Sequence, residues 1–164
     1  MQKAESELMS PEQFDVICEH YTRQSALAQK AARAILVDGA KNSDIAKEYS
    51  HVMTRQALSR IRLHLLRCYD AVREHYPYLS DGVLTEKRAR FICKLCKFND
   101  RTTDAYCKAL IEGAPVDQCA ADAKVYVVFF QERMSQIVSI HADFVRHFAN
   151  SQRGSRSEQT GTCQ

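Results

Sequence analysis

Tryptophan is absent from the 164-residue chain, and the three prolines and five glycines are few. A turn-rich all-β fold uses many more of both breakers, so long uninterrupted helices are expected instead. No apolar run approaches the roughly 18–20 residues of a membrane-spanning helix, so no bilayer-crossing segment is expected. A glycine-rich phosphate loop is also missing. The six histidines join no nucleophile or carboxylate pattern, so neither enzyme activity nor a cofactor is expected. The seven cysteines are odd in number and too few for a disulfide scaffold, which points to reduced thiols. Met1-Gln2-Lys3-Ala4-Glu5-Ser6-Glu7 carries no basic-then-apolar leader pattern, and a cytoplasmic protein is expected.

Apolar residues make up 45% of the chain and charged residues 26%, which is globular composition. With 23 Lys+Arg against 20 Asp+Glu the net charge is +3, too mild to diagnose a polyanionic partner unless the cations cluster.

Helical spacing dominates. Ser10-Pro11-Glu12-Gln13 starts a helix: Ser10 caps, Pro11 suits the first position, and Gln13 can return a capping-box bond. Phe14, Ile17, Cys18 and Tyr21 follow on one stripe. A second helix is expected over about Ala26–Val37, ended by Asp38-Gly39. A short one runs from Ser43, as cap, through Tyr49, and another opens at Thr54 with Leu58, Ile61 and Leu65 inward. Tyr76–Gly82 breaks the pattern. Helices then restart over Thr85 to about Phe98, from Thr103 or Asp104 to Ile111, over Asp117–Ala123 and over Gln131–Phe148.

The restart looks like a duplication. Ala34-Ile35-Leu36-Val37-Asp38-Gly39-Ala40 sits beside Lys108-Ala109-Leu110-Ile111-Glu112-Gly113-Ala114, with Ala31 on Ala105 and Ala46 on Ala120 at the same offset. The expectation is therefore an all-α protein of tandem helix-turn-helix-like units: residues 1–76, a linker over 77–83, a second unit over 84–150, and a disordered tail over 151–164.

Asn42 to Arg62 has the layout of a helix-turn-helix, a short helix and a break before a longer polar-faced helix. In that motif the first residues of the second helix meet base edges. Thr54, Arg55, Gln56, Ser59, Arg60 and Arg62 offer the side chains that read them. From Thr54 to Arg67 there are four Arg, one His and no acid, an excess suited to phosphates. The bland alternative is a helical hairpin with a solvated face.

The segments Met9–Phe14, Ala32–Gly39, Ile45-Ala46-Lys47 and Met53-Thr54-Arg55-Gln56-Ala57-Leu58-Ser59 resemble the TrfB-type (KorA-like) plasmid transcriptional repressors. The same region is similar to the PapB-type fimbrial regulators, which share the Leu-Val-x-Gly step. The resemblance covers about residues 9–70. It implies a sequence-specific double-stranded-DNA-binding regulator, of repressor type, that self-associates on its operator. It also implies base contacts from Thr54, Arg55, Gln56, Ser59 and Arg60, and phosphate contacts from Lys41 and Ser43. The turn Tyr49–Met53 is longer than in the KorA-like group, and the chain beyond about residue 70 does not follow the family.

In the second unit Glu132 stands where a cation would serve, so base reading is expected to be lost. Val125–Phe130 is open to two readings, core or partner surface, and core is expected because exposed apolar runs are rare. Lys87, Arg90, Lys94, Lys97 and Arg101 recur at helical steps, a stripe that reads either as phosphate contacts or as a solvated face. Cys93-Lys94-Leu95-Cys96 has metal spacing but no second ligand pair, so no metal is expected. Two alternatives to DNA reading are a helical interaction module (adaptor or antirepressor) and a single-stranded RNA binder. The latter would set aromatics among the arginines, and none lie there.

Overall fold

In the computed structural model, which describes residues 9–21 and 24–149, the chain is all α-helical. The helices are α1 (Pro11–Tyr21), α2 (Ala26–Leu36), α3 (Asn42–Glu48), α4 (Arg55–His75), α5 (Glu86–Leu95), α6 (Asp100–Ile111), α7 (Val116–Ala123) and α8 (Val127–Phe144). A final turn, Val145–Ala149, widens to π geometry. The expected tail over 151–164 lies outside the described residues.

Local chemistry sets most of these boundaries. The capping box at α1 is formed in both directions: Gln13 N donates to Ser10 Oγ at 3.2 Å, and Ser10 N donates to Gln13 Oε1 at 3.1 Å. Ser25, Thr54 and Thr85 cap α2, α4 and α5 by accepting from the backbone three residues on. Gly39 and Gly113 adopt φ of 72° and 70° past α2 and α6, which lets the following N–H turn back into the helix.

Four expected boundaries moved. Ser43 does not cap α3; the cap position is Lys41, and the Ser43 hydroxyl donates to Asp44 inside the first turn. α5 stops at Leu95, because Lys97 turns left-handed (φ 59°). Asn99 then opens α6 by accepting from Thr102 N at 2.9 Å, ahead of the expected Thr103. α8 begins at Val127, four residues before the expected Gln131.

One continuous core joins the elements before and after residues 77–83. It takes Phe14 and Ile17 from α1, Leu65, Val72 and Tyr76 from the α4 end, and Ile92 from α5. Tyr106, Cys119, Phe130, Ile137 and Phe144 from α6–α8 complete it. Phe144 is its aromatic centre, with ring centroids 5.3 Å from Tyr76, 6.3 Å from Tyr21 and 6.3 Å from Phe91. A second, smaller core of Ala31, Ile35, Ile45, Tyr49 and Leu58 holds α2, α3 and the start of α4 together.

Residues 77–83 form no helix, yet they are tied down by side chains. Arg88, only 7% exposed, donates to the carbonyls of His75 (3.0 Å), Asp81 (2.7 Å) and Val83 (2.6 Å) and to the Asp81 carboxylate (2.8 Å). Its guanidinium lies 4.9 Å from the Tyr76 ring centroid. His141 bridges the Tyr76 hydroxyl (3.0 Å) and the Gly82 carbonyl (3.0 Å). Since Nε2 faces a carbonyl, the proton belongs there, and Nδ1 accepts from Tyr76.

Candidate nucleic-acid interface

The small core explains how the α3–turn–α4 segment presents itself. Ile45 and Tyr49, one turn apart, are buried against α2 and Leu58. Ala46, half-buried, keeps the helices close. The turn closes on Tyr49, whose carbonyl accepts from Val52 N and Met53 N at 3.0 Å each. Thr54 then caps α4 through Ala57 N at 3.1 Å, and the leading turn of α4 is left outward.

On that leading turn Thr54, Arg55 and Gln56 are exposed, Arg60 is exposed one turn on, and Ser59 is half-buried between them. Among the described residues Arg55 and Arg60 form no ion pair. Asp44 and Glu48 of α3 are exposed and leave them unneutralised. Lys41 and Ser43 are exposed at the start of α3. Arg62 differs: it sits between Leu58 and Leu65 on the inward stripe, half-buried, with its Nε enclosed and unpartnered. Arg67, not singled out in the sequence, is exposed two turns beyond Arg60.

The cationic stripe of the second half comes apart. Lys87 and Lys94 are exposed on α5, but Lys97 lies past the helix end and Arg101 belongs to α6, where its Nε donates to the Asp122 carbonyl. Arg90 is neutralised by Glu86 (2.8 Å) and Asp104 (2.8 Å), and both carboxylates raise its pKa further. Glu86, four residues before Arg90, was the sequence signal for this pairing.

Val125–Phe130 is core at one position and surface at three. Phe130 is fully buried, while Tyr126 is 80% exposed, Val128 64% and Phe129 56%. The α7–α8 turn is three residues long and starts with Lys124 in the left-handed region (φ 58°), so α8 takes up most of the run. The stripe Phe130, Met134, Ile137, His141, Phe144 marks the inward face and leaves Val128 and Phe129 outside it.

The six described cysteines are free thiols. Burial pushes the Cys93 thiol up to about 12, with the neighbouring Cys107 and Cys96 adding to the shift. Among the described residues no three His, Cys, Asp or Glu side chains gather as a metal site, and no helix is long and apolar enough to cross a membrane.

No family model matches the chain, and neither a curated protein nor a solved structure matches it.

Proposed function

We propose that this chain is a sequence-specific regulator of transcription, of repressor type, that reads double-stranded DNA with the leading turns of α4. The observation that carries this reading is the outward, unpaired Arg55, Gln56 and Arg60 behind the exposed cap Thr54, on a helix start braced by α3. Arg pairs with guanine edges and Gln with adenine edges in the major groove. The free N–H groups of the same helix start suit a phosphate. Lys41 and Ser43 near the helix start and Arg67 about three turns along α4 serve as backbone contacts, and Lys87 and Lys94 of α5 extend the set. The likeness to TrfB-type and PapB-type regulators over residues 9–70 is part of this proposal and rests on the quoted residues alone.

The proposal includes a tandem origin. α1–α4 and α5–α8 run in the same order, and Gly39 and Gly113 take matching left-handed positions. The second unit keeps the layout with an apolar helix start in place of the cationic one. A single reading helix gives modest affinity, so operator binding by a homo-oligomer in the cytoplasm belongs to the same reading.

The test is selection of random duplexes by purified protein at several salt concentrations. A recovered consensus whose affinity falls steeply with salt supports the reading; equal recovery of all sequences refutes it. A second reading, a helical interaction module without DNA affinity, is favoured by the exposed Tyr126, Val128 and Phe129.

A further inference from the structure

We propose that the aromatic start of α8 is the surface on which two copies of this chain meet about a twofold axis. This deepens the self-association in the proposed function and names its face. Tyr126 and Phe129 stand side by side with ring centroids 6.3 Å apart at 68°, an edge-to-face pair that no other described residue covers. With Val128 they expose on the order of 350 Å² of apolar surface, taking aromatic side chains at 150–250 Å² each. That is close to half of the roughly 800 Å² per partner that a standard interface hides. The remainder must come from the polar rim, so the contact is weak and reversible, in the micromolar range.

The rim points to a second copy as the occupant. One turn along α8, Glu132 follows Val128 and Arg133 follows Phe129, both exposed. A patch flanked by one acid and one base is complementary to itself: under twofold symmetry each Arg133 faces the other copy's Glu132, and no like charges meet. In the single chain Arg133 donates to Gln136 Oε1 at 2.7 Å, an exposed bond that it can exchange for the carboxylate. No charge is buried, because Tyr126, Val128 and Phe129 occupy the middle of the face.

Sedimentation velocity on the full chain across a micromolar concentration series tests this. The wild type is expected to pass from monomer to dimer. The double substitution Tyr126→Ser, Phe129→Ser is expected to raise the dimer Kd by about tenfold or more with an unchanged circular dichroism spectrum, since both side chains are exposed. Glu132→Arg alone and Arg133→Glu alone each set like charges face to face and weaken the dimer. An equimolar mixture of the two restores it, because each heterodimer contains only Arg–Glu contacts. A wild type that stays monomeric throughout, or a mixture no stronger than either variant, overturns the proposal.

A duplex carrying one half-site separates this from DNA reading. The Tyr126→Ser, Phe129→Ser variant should bind it like wild type and lose only the advantage of two half-sites. A wild type that dimerises yet binds no duplex sinks the DNA reading and leaves the interface standing.

Discussion

Replacing Arg88 with methionine removes the clamp on residues 77–83 while keeping an unbranched chain of similar length. Arg88 donates four bonds, at 2.6 to 3.0 Å, to three carbonyls and one carboxylate. A hydrogen bond from a charged donor contributes about 1.5–3 kcal/mol. The gross loss is partly recovered, because Asp81 and Val83 are exposed and water can reach their carbonyls in the variant. The Asp81 carboxylate, 69% exposed, rehydrates at almost no cost. What remains is the half-buried His75 carbonyl, the lost stacking on Tyr76, and a loosened Gly82–His141 contact. A net destabilisation of about 2–4 kcal/mol is expected, from about 1–3 kcal/mol for the carbonyl left without its donor and about 1 kcal/mol for the lost contact with the Tyr76 ring. Asp81→Asn, which keeps every backbone bond, should cost under about 1 kcal/mol. Urea denaturation followed by circular dichroism, with the slope checked for constancy, measures both. An Arg88→Met variant within about 1 kcal/mol of wild type, or an Asp81→Asn variant as damaged as Arg88→Met, would refute the reasoning.

Three further outcomes follow from the same geometry. Arg55→Ala should flatten base preference at one operator position, costing about 1–3 kcal/mol on the best duplex, while Lys94→Ala weakens all duplexes evenly and reduces the salt slope; unchanged discrimination by Arg55→Ala removes α4 as the reading helix. Burial and the nearby Arg88 charge lower the His141 pKa, so the unfolded chain takes up a proton at a higher pH than the folded one. Stability is therefore full above the ordinary histidine value of about 6.5 and declines as pH falls below it, and His141→Gln should reduce that decline in denaturation midpoints taken between pH 7 and 5. Under native conditions iodoacetamide should modify half-buried Cys96 before Cys93, whose thiol is enclosed and resists ionisation; peptide mapping showing Cys93 labelled first contradicts the packing.

The helices were readable because their signals are local. The Ser10–Gln13 box and the Thr54 and Thr85 caps join groups three residues apart, and the left-handed Gly39 and Gly113 close bonds that span six. The outward Arg55 and Gln56 followed from the inward stripe through Leu58 and Leu65. Arg62 lies on that same stripe, half-buried, because helical spacing sets it between Leu58 and Leu65 whatever its charge. Ser43 has the residue type of a cap, yet the helix is entered two residues earlier, at Lys41.

From the amino-acid order alone came the all-α class, the number and approximate lengths of the helices, and a cation-rich helix start near Thr54. These depend on spacing and on neighbours along the chain, which a linear text preserves. Tertiary packing alone decided that Arg90 is spent on Asp104, that Arg88 turns inward to hold the 77–83 segment, and that Tyr126 and Phe129 stay uncovered. Each outcome depends on which distant element lies across from a side chain. A charge is free or neutralised, and an apolar ring buried or bare, according to that neighbour and not to its own identity.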